Sequence, residues 1–295
     1  MGRRPACEPG HRYHTHGNQP HRMSTIAPHH VEKSAMTFAV LGYGRFGQAF
    51  AGLLLQAGHR VRAFDPHAEV PASLATTSMS AAVDAASWIV LAMPVPQMRD
   101  ALRTLRPQLR AEQTVLDVGS VKMHPCAMMD ELLGAEIAHV GTHPLFGPLS
   151  LARDERPLRT VICASARHPQ AAARARQLFA GLGCDVIEQD PDSHDRAMAN
   201  THALAFFLAK GLVDLGVDDD ITLAPPSFQG LKHMLAAVRG DAGHLFAAIQ
   251  RENPYAAEAR ARLIASLESI HRKLLIDSDD EDGSLAISSR PGGVS

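Results

Sequence analysis

The sequence lacks the features that mark several large classes of protein. Aromatics make up 5% of its 295 residues, with a single Trp, too few for a surface that stacks nucleic-acid bases. Positive charge is not in excess: 29 Lys and Arg against 31 Asp and Glu leave a formal net charge of -2. Nothing global therefore neutralises a phosphate backbone. The four cysteines, Cys7, Cys126, Cys163 and Cys184, are scattered with no C-x-x-C pair, which excludes a zinc ribbon or disulfide framework and suits a reducing cytosol. Long apolar runs are missing: 49–55 and 203–209 fall far short of the roughly 20 residues that span a bilayer. The N-terminus has no apolar signal core. The expected partner is a small molecule, with no nucleic acid and no membrane, in the cytoplasm.

What is present is a globular composition, 45% hydrophobic, and a length that predicts about two domains. Histidine is abundant, at 17 residues, which raises metal or acid–base chemistry. Six of these histidines, His11, His14, His16, His21, His29 and His30, lie in residues 1–35. That stretch has no hydrophobic periodicity and reads as a disordered leader, with Met23 and Met36 as alternative initiators. It supplies no fixed ligand set, so no metal site is expected. Residues 277–295 begin DSDDED and read as a disordered acidic tail.

From Met36 the pattern is that of a nucleotide fold. Residues 37–42 (TFAVLG) read as a buried strand and run into Gly42-Tyr43-Gly44-Arg45-Phe46-Gly47; a helix pattern follows to Leu55, then a second strand, 60–65, ending in Asp65. Each glycine has its own task. Gly42 makes the tight turn, Gly44 admits a pyrophosphate to the backbone, and Gly47 lets helix pack on strand. The diphosphate would sit on the helix N-terminus, where free N–H groups favour negative charge. Asp65 stands where a carboxylate accepts from ribose hydroxyls and repels a 2′-phosphate, which favours NAD and leaves NADP open.

Strands at 88–93, 114–119, 136–142, 160–164 and 185–188 alternate with helices at 97–109, 123–133 and 169–182. This specifies an α/β, Rossmann-type doubly wound sheet over residues 36–189. From 190 the alternation stops. Segments 193–215, 223–238, 241–251 and 255–275 carry helical periodicity, so 190–276 reads as an all-α substrate and dimerisation domain. Ligands bind beyond the carboxyl ends of parallel strands. The glycine loop, 92–96 with Pro94, Ser120-Val121-Lys122 and His143-Pro144 therefore converge. A histidine just past a strand end, pinned by Pro144, is a natural base for a hydroxyl proton as hydride leaves the same carbon. Taken alone, His143 is open to that reading and to a structural turn role.

The GYGRFG loop, DVGSVK at 117–122, GTHPLFGP at 141–148 and Ser193-His194-Asp195 opening a helix together resemble the prephenate and arogenate dehydrogenases of tyrosine biosynthesis, over roughly 37–275. The resemblance implies an NAD(P)-dependent oxidative decarboxylation and a homodimer built through the helical domain. It implies that His143 accepts the ring hydroxyl proton and that Ser120 hydrogen-bonds with it. Lys122 matches the motif too, with a structural or a catalytic role.

Two positions depart from the family pattern. Three turns into the helix, where the family has a substrate-contacting histidine, stands Phe206. After Pro226-Ser227-Phe228, where the family has a carboxylate-binding arginine, stands Gln229. Glutamine cannot give the charged bidentate contact of arginine. His202, one turn before Phe206, is a candidate replacement or a core histidine; Lys232 and His233 follow Gln229 by about one turn. Ser120, Lys122, His143, His202, Phe206 and Gln229 thus form the expected substrate set, for a cyclohexadienyl acid with an altered ring or side-chain group. Two other readings stay open. A β-hydroxyacid dehydrogenase or imine reductase is disfavoured because Lys210 is followed by Gly211 and Leu212, not Asn. A non-catalytic NAD sensor is disfavoured by the intact glycine loop, Ser120 and His143.

Overall fold

The computed structural model describes residues 35–217, 224–240 and 243–276, apart from the side chains of His233 and His244. The expected tail and, Ala35 excepted, the expected leader lie outside the described residues. Strand β1 (Thr37–Leu41) leads through helix α1 (Arg45–Gln56) to β2 (Arg60–Phe64), then through α2 (Met79–Asp84) to β3 (Trp88–Leu91). The series continues with α3 (Val95–Leu105), β4 (Thr114–Asp117), α4 (Met123–Leu133), β5 (Ala138–Pro144), α5 (Pro148–Ala152), β6 (Leu158–Ala164), α6 (Pro169–Gly181) and β7 (Cys184–Glu188).

The seven strands form one sheet in the order β2-β1-β3-β4-β5-β6-β7. Strands β1 to β5 are parallel, and β6 runs antiparallel to β5. Strands covered on both faces must be apolar on both, and β3 (WIVL) is buried throughout. The two-residue period sorts the core into two layers. Phe38, Val40, Trp88 and Val90 pack with Phe50 and Leu54 of α1 and Phe179 of α6. Ala39, Leu41, Ile89 and Leu91 pack with Met98 and Leu102 of α3 and Met129 of α4. Each Val, Leu, Ile, Phe or Met among them contributes about 1.5–3 kcal/mol by leaving water.

After β7 every described element is helical: α7 (Pro191–Met198), a π-helical stretch (Ala199–Ala203), α8 (Leu204–Asp214), α9 (Pro226–Arg239), α10 (His244–Ala247), a second π stretch (Ala248–Glu252) and α11 (Ala256–Ile276). No described helix is long and apolar enough to cross a membrane. Where 193–215 reads as one helix from its first serine, the chain turns helical at Pro191. The Asp190 carboxylate caps it by accepting from the Ser193 N–H at 2.9 Å. The expected start at 223 lies outside the described residues; there the described helix begins at Pro226.

One shift bears on function. The strand expected at 136–142 is Ala138–Pro144, so His143 lies within β5 and not beyond it. Antiparallel pairing with β6 sets His143 opposite Val161 and Pro144 opposite Thr160, which carries the ladder two residues further.

Candidate active site

The carboxyl ends of β1, β3, β4 and β5 share one edge of the sheet, and the glycine loop opens this edge. Gly42 has φ +100°, and a Cβ there would meet the Ala92 carbonyl carbon at 2.6 Å. A Cβ on Gly47 would lie 2.1 Å from the Gly42 oxygen. These two positions admit nothing but glycine. A Cβ on Gly44 meets nothing within 4 Å. Gly44 is also the N-cap of α1, with no side chain capping the helix and no acid in its first turn. An uncapped helix N-terminus beside open space fits a diphosphate.

Asp65 closes this loop. Its carboxylate accepts the N–H of Tyr43 at 2.6 Å, of His67 at 2.8 Å and of Ala68 at 2.9 Å. Burial alone would raise its pKa, but the three N–H donors together outweigh that and hold it below the ordinary carboxylate value. Nearby Arg62 donates to the Ala81 carbonyl at 2.8 Å, so its guanidinium is engaged by the start of α2. Arg45 is exposed and reaches Gly240 at the end of α9, where a Cβ would touch its guanidinium at 3.1 Å. Tyr43 is buried, Phe46 stacks on Phe50, and Pro94 is the N-cap of α3.

Two buried networks meet at His143. In the first, the Lys122 ammonium pairs with Asp117 and donates to the Thr142 carbonyl, all fully buried. The Thr142 hydroxyl donates to the Asp117 carbonyl. Burial raises the Asp117 pKa against the lowering pull of Lys122. Lys122, expected among the substrate contacts, is therefore part of the frame that ties the ends of β4 and β5: its charge is spent inside the protein.

The second network was not read from the sequence beyond the motif that opens a helix. Asp195 accepts the backbone N–H of Lys122 at 2.8 Å and of Met123 at 2.9 Å, at the start of α4. His194 Nδ1 lies 2.7 Å from Asp195 Oδ1, and His194 Nε2 lies 2.9 Å from His143 Nδ1. All three side chains are buried. The available signal was a His-Asp pair in the first turn of a helix, where a solvated pair would be ordinary.

His143 Nε2 has no partner among the described residues and is not sealed off. Burial, then the neighbouring His194, Lys122 and His202, push His143 well below the usual imidazole pKa. His202, in the π stretch, stacks on His143 with centroids 6.2 Å apart, and Phe206 meets His202 edge-on at 4.7 Å. Burial and then His194 bring His202 down to about 4. Ser120 is half-buried and makes no hydrogen bond to His143 among the described residues; His194 takes that ring's Nδ1. Gln229 is exposed in the first turn of α9 and no hydrogen bond joins it to the cluster among the described residues.

A doubly wound sheet with a cradle for a diphosphate, facing buried imidazoles, defines a dinucleotide-binding oxidoreductase. Residues 63–188 match the family model described as prephenate dehydrogenase, nucleotide-binding domain. The chain is 30% identical over 220 residues to 4-amino-4-deoxyprephenate dehydrogenase of Streptomyces pristinaespiralis, covering 72% of each. It is 26% identical over 258 residues to chloroplastic arogenate dehydrogenase 2 of Arabidopsis thaliana, covering 82% of this chain and 71% of that one. The prephenate dehydrogenase of A. aeolicus, solved with hydroxyphenyl propionate and NAD+, shares the fold with a TM-score of 0.66 at 21% identity, over 85% of this chain and 94% of the other. The chain belongs to the prephenate dehydrogenase family.

Proposed function

We propose that this protein oxidatively decarboxylates a prephenate-type cyclohexadienyl acid, best represented by 4-amino-4-deoxyprephenate, with NAD as cofactor. Gly42, Gly44 and Gly47, the N-terminus of α1 and Asp65 would hold NAD, which supplies the hydride acceptor when bound. The observation that carries the reading is His143, a neutral imidazole whose one unpartnered nitrogen lies at the sheet edge that also bears the glycine loop. As hydride leaves the ring carbon bearing the amino or hydroxyl group, His143 takes a proton from that group. The bond to the ring carboxylate then breaks, its electron pair makes the ring aromatic, and His143 returns the proton to the nitrogen or oxygen. The proton is thus borrowed: the ring carboxylate leaves as CO₂, the hydride would pass to NAD, and the aromatic product keeps its side-chain carboxylate and a neutral ring amine or phenol.

Two features support the amino substrate over prephenate. The relative with 30% identity carries that activity by name, and Phe206 and Gln229 replace residues that the sequence resemblance assigns to ordinary substrate binding. His202 and Phe206 would form a wall of the pocket, with Ser120 at its rim. Residues 36–189 would serve the cofactor and 190–276 the substrate.

The reading extends to a homodimer through the helical part. On α11, Ile264, Leu267, Ile270 and Leu274 recur at helical spacing and are 42–50% exposed, a stripe that a second copy would cover.

The test is NADH formation with 4-amino-4-deoxyprephenate, prephenate and arogenate, comparing NAD and NADP. 4-Amino-4-deoxyprephenate with NAD should give the highest kcat/KM. Ordinary turnover of prephenate by the unaltered protein would sink the altered-substrate reading. Reduction with none of the three would favour a sensor. His143→Gln should lower kcat by about 10²–10⁴-fold.

A further inference from the structure

We infer that His194 and Asp195 are positioning residues: they fix His143 with its Nε2 lone pair toward the substrate and take over the borrowed proton's charge. This rests on the reading of His143 as proton acceptor. The donor–acceptor chain leaves one arrangement. Asp195 accepts from two backbone N–H groups, which is the behaviour of a carboxylate, so His194 must donate to it through Nδ1–H. A neutral His194 then has its lone pair on Nε2, which must accept, so His143 donates through Nδ1–H. The remaining nitrogen of His143, Nε2, is left as a lone pair.

This polarity follows from the fold. Asp195 sits on the N-terminus of α4, and the Asn253 side chain holds the Asp195 carbonyl at 2.8 Å. Asp195 is thereby held at two points, its carboxylate by the N–H groups at the start of α4 and its backbone by Asn253, before it orients a ring. The chain also solves an electrostatic problem. An isolated imidazole this deeply buried resists becoming charged. When Nε2 of His143 gains the substrate proton, its Nδ1 proton moves to His194 Nε2. His194 keeps its own Nδ1 proton on Asp195, so the charge rests beside a carboxylate. When CO₂ has left, the same two transfers run backward and restore the proton to the product. No proton is exchanged with water and no group is left altered. The titratable groups around this path include His202 from the π stretch, the Lys122–Asp117 pair behind Thr142, Cys163 on β6, Cys126 on α4 and Tyr255 before α11.

The test reads the ring protons directly, on the full chain without substrate. In ¹⁵N-histidine NMR, His143 and His194 should each carry the proton on Nδ1, the tautomer that free histidine disfavours. His194→Phe should return His143 to the Nε2–H form. Finding Nε2–H on His143 in the unaltered protein, or no change in His194→Phe, overturns the proposal. His194→Gln can donate to Asp195 and accept from His143 but cannot take a proton. It should keep His143 as Nδ1–H, leave KM values unchanged and lower kcat at least about tenfold. Its acid limb of kcat/KM, with 4-amino-4-deoxyprephenate or prephenate, should move to lower pH. An equal loss at every pH would mean a purely structural role for His194. If His143→Gln stays active, the acceptor reading itself fails, while the tautomers still judge the positioning.

Discussion

At the scale of single residues, the site is built from buried polar groups that compensate one another. Lys122 and Asp117 are both fully buried and paired. Removing one partner strands the other charge, and such changes cost about 3–5 kcal/mol. Lys122→Met should therefore lower stability by about that amount, and adding Asp117→Leu should recover much of it; denaturant melts of the three variants check this. A double variant whose loss equals the sum of the losses in Lys122→Met and Asp117→Leu alone would show that the pair is not coupled. This pair also marks a limit of sequence reading. DVGSVK is visible as a motif following a strand, but a lysine pointing inward to an aspartate five residues before it looks the same as one pointing at a ligand. The glycines were legible, because each is demanded by backbone geometry that only its neighbours in sequence create.

At the scale of elements, the strands were readable and the short helices were not. The β3 and β4 runs are apolar throughout because both faces are covered. Helices α2 and α5 have six and five residues, too few for a 3.6-residue period to show. The π stretch at Ala199–Ala203 was equally hidden, since an extra residue in a turn leaves no compositional mark. It carries His202, whose pKa of about 4 in the fold lies below the unfolded value of about 6.5. The unfolded chain binds the proton first, so this stability is complete above about pH 6.5 and is lost as pH falls toward 4, by roughly 3 kcal/mol. His202→Gln should flatten the stability curve across that window in melts at a series of pH values. An unchanged slope would place the acid sensitivity elsewhere.

At the scale of the whole molecule, a sheet that bears the glycine loop joins a helical part that brings His194 and Asp195 to His143. The order of these two parts was legible from where the β–α alternation stops. Their meeting point was not, because contacts between β5 and α7 join residues 51 apart in sequence. The stripe on α11 gives a test of assembly. Leu267→Glu with Ile270→Glu should convert a dimer to a monomer in light scattering or sedimentation, with the sheet's spectroscopic signature intact. A monomeric unaltered protein would dispose of the dimer.

The open space beside Gly44 separates two properties that usually fail together. Gly44 has φ -65° and ψ -172°, a conformation any residue adopts, and no atom stands where a methyl group would go. Gly44→Ala should therefore melt like the unaltered protein while its methyl occupies the room proposed for the diphosphate. Titration with NAD should show weakened binding in a chain that is otherwise whole. Such a variant is a cofactor-blind twin: introduced into a cell, it would tell apart the effects of turnover from those of the protein's mere presence.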